Sequence, residues 1–184
     1  GVGTMAAFAG LGYTDLASKY GVKLVDFNES KAVKCSIDAS THLMIAKEAL
    51  ECDFFINFPV LKTHGQTKIS LGLKNLKGCL KASSKKLCHH PELNLEYCFP
   101  FVADYVKPEL TIIDGIYALE KGALHFGNAY KKDTIIASTD ILAADIIGAK
   151  VIGYEPSDIA HFVTYATRHN KSLVLSDYAV KGEK

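Results

Sequence analysis

Residues 53–78, DFFINFPVLKTHGQTKISLGLKNLKG, decide how the rest of the chain is read. The stretch begins with Phe54, Phe55, Ile56 and Phe58, an aromatic and β-branched run bounded by Pro59. Such a run predicts a buried strand. Proline has no backbone donor, so the ladder is expected to stop at Pro59. A polar loop then carries Lys62, Thr63, His64, Thr67, Lys68 and Ser70. Ser70 is positioned to cap a helix bearing Leu71, Leu73, Lys74, Asn75 and Leu76, with Gly78 closing it. Unpaired amides at a helix start, with lysines beside them, attract anions. A small anionic ligand on this loop is therefore the first functional expectation.

Working outward, the flanking segments alternate between helix and strand. Residues 4–20 predict a helix interrupted near Gly10 and Gly12, with Tyr13, Leu16, Ala17 and Tyr20 on one face. Strands are predicted at 22–27 and 33–37. Thr41 is expected to cap a helix running to Leu50, with Leu43, Ile45, Ala46 and Ala49 as its apolar positions. Beyond the central stretch, the basic run 77–86 is a solvated loop or an anion patch. Residues 93–106 predict a helix that Pro100 starts or kinks. Residues 110–113 predict a buried strand closing on Asp114-Gly115, and 133–138 another. Asp140 caps a helix to Val151, 156–168 adds one more, and 173–175 a last strand. Alternation of this kind predicts an α/β fold: a layered sheet, mixed or mostly parallel, with flanking helices.

The chain of 184 residues is long enough for one well-buried core. The expected organisation is a single α/β domain over 1–184, or a fragment of a longer chain whose flanks complete the site. At 48% hydrophobic and 22% charged it is globular rather than disordered. A net charge of +1 argues against a general nucleic-acid binder. No apolar run approaches the ~20 residues of a membrane span, and no signal-peptide pattern stands out. Five cysteines at 35, 52, 79, 88 and 98 form no C-x-x-C pair. Reduced thiols and a cytoplasmic location are the expectation.

Several groups could do chemistry. His64 suits an acid, a base or a metal ligand, or else a loop histidine bonded to backbone. Lys62 and Lys68 flank it. Lys74 is an anion clamp, a nucleophile, or a solvated residue with a buried stem. Asn75 supports any of these. Asp114 follows a hydrophobic strand, where open sheets gather ligands, or it serves the Asp-Gly turn. Glu120 and His125 come next, in a loop framed by Gly122 and Gly127. Asp145 sits among Ile141, Ala144, Ile146 and Ile147, so it needs a partner, a site lysine or backbone donors.

Two resemblances follow from these residues. The run Ile56-Asn57-x-Pro59-x-Leu61-Lys62-Thr63-His64-x-x-Thr67, then Leu73-Lys74-Asn75-Leu76-x-Gly78, resembles the signature of a prokaryotic family known only as domain of unknown function 362. Leu110 to Gly115, Glu120, Gly122, Gly127, Ser138-x-Asp140 and Ala144-Asp145 agree with it. The resemblance implies a link to redox metabolism, since members are often joined to ferredoxin-like modules carrying 4Fe-4S clusters. No C-x-x-C-x-x-C run occurs here, so any 4Fe-4S cluster would sit on a module or partner outside this chain. The second resemblance is to the nickel-pincer lactate racemases. His64, Lys74 and His90 are spaced as three residues of that family are, although the glycine-rich segment before the lysine is replaced by Ile69-Ser70-Leu71-Gly72-Leu73. It implies Lys74 holding a nickel-pincer nucleotide, His90 ligating nickel and His64 moving a proton. The leading expectation is an enzyme domain with His64, Lys74 and Asp114 as catalytic groups. Lys62, Thr63, Thr67, Asn75 and Glu120 would hold the anionic ligand or cofactor, and His90 a metal. The rivals are a nickel-pincer isomerase and a non-catalytic module that docks an electron-transfer partner.

Overall fold

The computed structural model describes residues 3–89, 95–123 and 126–182. Two short helices, α1 (Thr4–Gly10) and α2 (Tyr13–Tyr20), are separated by Gly12, whose φ of 77° no helix interior accommodates. The antiparallel pair β1 (Ala32–Ser36) and β2 (His42–Ala46) follows, then α3 (Lys47–Glu51). Next come β3 (Ile56–Asn57), β4 (Val60–His64), β5 (Lys68–Ser70) and a single helical turn, α4 (Gly72–Asn75), which tightens to 3-10 geometry over Leu76–Cys79. The helices α5 (Ala82–Leu87) and α6 (Leu95–Val106) lead into two long strands, β6 (Leu110–Ala123) and β7 (Phe126–Ser138). Finally α7 (Ile141–Val151) and α8 (Ala160–His169) close the order, with 3-10 turns at Pro156–Asp158 and Leu175–Asp177.

The main sheet is mixed, as the α/β expectation allows. β3 and β4 run parallel to β6, while β5 and β7 run antiparallel to their neighbours. The ladder does not end at Pro59. β3 and β4 pair β6 in one continuing register, Asn57 with Thr111 and Val60 with Asp114, and the Asp114 amide donates to the Pro59 carbonyl at 2.9 Å. Proline lacks a donor but keeps its acceptor, and the acceptor is what β6 uses.

The phenylalanine-rich run is not a buried strand. Asn57, Pro59 and Leu61 point inward, whereas Phe54, Ile56 and Phe58 are each more than half exposed. Alternate residues of a strand face opposite ways, and here helices cover only one side. On that side Leu61, Ile113 and Ile136 meet α7, a helix apolar nearly all round. The contact is close: a Cβ at Gly148 would lie 2.9 Å from Leu71 Cδ1 and 3.3 Å from Ile113 Cδ1. The other side leaves Val60, Ile116 and Ile135 exposed.

Several expected elements differ. The helix from Thr41 is instead β2 followed by α3, because Leu43 and Ile45 alternate and only residues from Lys47 turn helical. No strand forms at 22–27, where the Asp26 carboxylate and carbonyl organise a turn around Asn28 and Ser30. None forms at 173–175. Ser70 does not cap α4, because it is spent pairing with Lys62 across the β4–β5 hairpin. Asp114-Gly115 is no turn either. β6 runs through it, and Gly115 lets the Thr134 carbonyl come within 2.8 Å of where a Cβ would stand. The cap at Asp140 forms as expected, with its Oδ1 accepting from the amides of Leu142 and Ala143.

Candidate functional site

The β4–β5 hairpin and α4 bring together a group of basic side chains. His64, Lys74, Lys77 and His89 lie within electrostatic reach of one another, and Lys62 acts on both His64 and Lys74. Among the described residues, no carboxylate is among the charges acting on them. Among the described residues, none of Lys62, Lys74 and Lys77 is in an ion pair with an acid. Burial first, then Lys62 and Lys77, lowers the Lys74 ammonium to about 8. Burial first, then Lys74, Lys62, Lys77 and His89, lowers His64 to about 4. Lys77 Nζ and His89 Nε2 stand 2.5 Å apart, and burial pulls both downward.

His64 sits on a strand, not in a loop, and its ring caps the turn that follows. Nδ1 accepts from the amides of Gln66 and Thr67 at 3.2 and 3.3 Å. Accepting there fixes the neutral tautomer with its proton on Nε2. The turn is strained: Lys68 holds φ at +60°, and the Ile69 amide reaches back to the Thr67 carbonyl at 2.6 Å. A side chain in that region costs about 1 kcal/mol relative to glycine. Lys68→Gly is therefore expected to stabilise the chain by about 1 kcal/mol in a urea melt, and a loss of stability would show that the Lys68 side chain is needed.

Behind the lysines, α4 is held from a distance. The Asp145 carboxylate, fully buried on α7, accepts the Gly72 amide at 2.6 Å through Oδ1 and the Leu73 amide at 2.9 Å through Oδ2. These are the free donors of the helix start. Burial pushes Asp145 up to about 7, and the two amides pull the other way. The partner of Asp145 is thus backbone, not a lysine. On the other flank Asn57, buried in β3, donates to the Gly72 carbonyl at 3.0 Å and accepts from Asn75 Nδ2 at 2.8 Å. Asp145, Asn57 and Asn75 hold both ends of the turn that presents Lys74. Near it, buried His161 takes Glu96 on Nδ1 at 3.1 Å and packs edge-on against Phe99 and Phe162.

The residues expected in one pocket are divided. Lys62, His64 and Lys74 do converge. Thr63 faces the opposite way along β4 and shares a groove of about 440 Å³ with Glu120, Tyr130 and Lys150. Thr67 is buried, its hydroxyl donating to the Ile69 carbonyl. Asn75 points to a cavity with Phe8 and Phe58. Asp114 lies level with Val60, four residues short of His64, which is about 13 Å along the strand. Its Oδ1 accepts the Ile116 amide. His90 and His125 lie outside the described residues. Lys77 comes from the basic run read as a solvated loop or an anion patch, while nothing in the sequence singles out His89 or Asn57 for the site. Nothing in the spacing of Lys77 separates it from Lys81, which binds the carbonyls of Asn28 and Ser30.

The metal expectations can be tested against the donors present. Among the described residues no three His, Cys, Asp or Glu side chains gather as a metal site would require. The five cysteines are unpaired, four of them buried. Lys74 and His64 lie close enough to influence each other, as the nickel-pincer resemblance asks, and His90, the nickel ligand it implies, lies outside the described residues.

Fold and cluster together define a mixed-sheet α/β chain presenting a basic, lysine-centred cluster. The chain belongs to the family Domain of unknown function (DUF362), whose family model matches residues 1–150. It is similar to the Thylakoid-associated protein sll1697 of Synechocystis sp. (strain ATCC 27184 / PCC 6803 / Kazusa), 30% identical over 190 residues. That match takes in 91% of this chain and 57% of the relative, so the chain spans little more than half of that protein's length. No solved structure matches. Among the described residues no helix is long and apolar enough to cross a membrane.

Proposed function

We propose that this chain is an enzyme domain that binds a small phosphate-, sulfate- or carboxylate-bearing molecule at Lys62, His64, Lys74 and Lys77. The observation that supports it is the uncompensated cluster itself. Half-buried lysines that repel one another, with no acid paired to them among the described residues, cost stability unless something of opposite charge completes them. Lys62, Lys74 and Lys77 supply charge, and His64 supplies a neutral Nε2–H donor. With the amine lowered to about 8, a useful share of Lys74 is unprotonated near neutral pH. That share can take a proton from a bound acid or attack a carbonyl. Redox coupling through an iron–sulfur module would be the setting, as family resemblance implies, and Asp114 would act only on a ligand long enough to reach along β4.

Titration calorimetry with sulfate and phosphate, in a chloride background, tests this reading. Saturable binding is expected, weakened about fivefold by Lys62→Ala or Lys77→Ala, the usual scale for one charge-assisted contact. Heats that do not saturate, or variants that bind as the parent does, would remove the anion site. A module that only docks a protein partner predicts the latter.

A further inference from the structure

A cavity between α1 and the β3–β4 edge shares Asn57 and Asn75 with the frame of the anion site but is lined by none of Lys62, His64, Lys74 and Lys77. Its volume is about 340 Å³, within the range of small-molecule pockets. Part of its wall is aromatic: Phe8 from α1, Phe27 from the turn after α2, Phe55 and Phe58 from the start of the sheet. Phe58 is 58% exposed, so a large ring stands at this cavity without a covering partner.

The rest of its lining is largely polar, with Thr4, Asn28 and Asn57 beside Asn75, Lys85 and Asp26, and the last three are of opposite kinds. Asn75 spends its amide nitrogen on Asn57 Oδ1, which leaves Oδ1 of Asn75 as an acceptor. Lys85, on α5, makes one long bond of 3.4 Å to Asn28 Oδ1 and is half-buried, so its ammonium is an under-used donor. Asp26 lies beside Lys85 and balances it, with Oδ1 already held by Asn28. Charge here is nearly neutral, unlike the lysine cluster.

We propose that this cavity binds a planar heteroaromatic ring, stacked against the phenylalanines, whose edge offers an N–H to Asn75 and a carbonyl to Lys85. Flat π-faces match aromatic walls, and a ring edge with adjacent donor and acceptor matches one amide oxygen and one ammonium. A purely apolar ligand would leave Lys85 and Asn75 desolvated without partners, at a cost of their hydration. The site stands apart from the anion reading and survives its failure.

Lumichrome, a fluorescent three-ring compound with such an edge, is a suitable probe, because the chain contains no tryptophan to interfere. Fluorescence polarisation is expected to show saturable binding. Phe58→Ala should weaken it about fivefold, Phe8→Ala about the same, and the double variant roughly twentyfold, the scale of losing one and then two ring contacts. Phe58 is exposed and Phe8 lies on a peripheral helix, and circular dichroism checks that each variant keeps its fold. Lys85→Met should weaken binding further while leaving the apolar walls in place. Affinity should not change in saturating phosphate or in Lys62→Ala. Absence of binding up to the solubility limit would overturn the proposal. So would equal affinity in the phenylalanine variants, equal affinity in Lys85→Met, or displacement by phosphate, which would put the ring among the lysines.

Discussion

Asp145→Asn is expected to destabilise the protein by about 3 kcal/mol, although it changes no shape. The carboxylate receives two amide donors on two oxygens, from Gly72 and Leu73. An asparagine offers one oxygen and one N–H₂. Its nitrogen would face the Leu73 amide, donor against donor, inside a fully buried site. Asp145→Ala strands both amides and is expected to cost about 3–5 kcal/mol. Gly72→Ala attacks the same contact from the other side. A Cβ at Gly72 would stand 2.6 Å from Asp145 Oδ1, 3.0 Å from Ile141 Cγ1 and 3.1 Å from Thr111 Cγ2. All three atoms belong to buried side chains, and Asp145 is held by two amides, so a loss above about 3 kcal/mol is expected. Urea melts of the three variants check this. If Asp145→Asn melted with the parent, the α4 turn would be held by something other than the α7 carboxylate. Sulfate affinity should fall in these variants as well, since the turn places Lys74.

The sequence carried the α/β class and failed where two periodicities overlap. Residues 41–50 contain Leu43, Ile45, Ala46 and Ala49, which satisfy a helix of ten residues as well as a strand of five followed by a helical turn. Tertiary pairing of β1 with β2 decides between them, and no local signal does. Pro59 was a stop signal only for its missing donor; whether the neighbouring strand needs a donor or an acceptor at that level is set by register. The α7 cap was legible, because aspartate before an apolar helix acts locally. The α4 cap was not, because its acceptor lies 73 residues away from Gly72. For the basic cluster, the stretch around Lys62, His64 and Lys74 supplies three of its side chains. Its membership was not readable. Alternation on β4 sends Thr63 away from its neighbours, and the fold brings in Lys77 and His89 from a segment that looks solvated.

Sulfate binding is expected to collapse as pH rises through about 8, and Lys74→Ala to remove both that step and most of the affinity. The sign follows from the direction of the shift. Burial, with Lys62 and Lys77 adding to it, lowers the Lys74 ammonium from its ordinary value of 10.5 to about 8. Below that pH the amine is charged and pairs with the anion; above it the pair is lost. Sulfate itself does not titrate in this range, so the step reports the protein. A bound anion favours the charged amine, and Lys74 should titrate at a higher pH in the complex. Without ligand, linkage runs oppositely: the unfolded chain takes up a proton that the folded one releases between about pH 8 and 10.5, so stability should rise with pH over that window. Lys74→Ala is expected to weaken sulfate binding about thirtyfold at pH 6.5, the scale of a half-buried charge-assisted bond. Lys74→Arg keeps the charge and cannot lose it. It should therefore still bind sulfate and show no step near pH 8. Calorimetry from pH 6.5 to 9.5 on the three proteins measures this, with the Lys74 side-chain resonance followed by NMR. A step that persists in Lys74→Arg would assign the titration to another group, and the lysine at the centre of the site would be a charge of no special basicity.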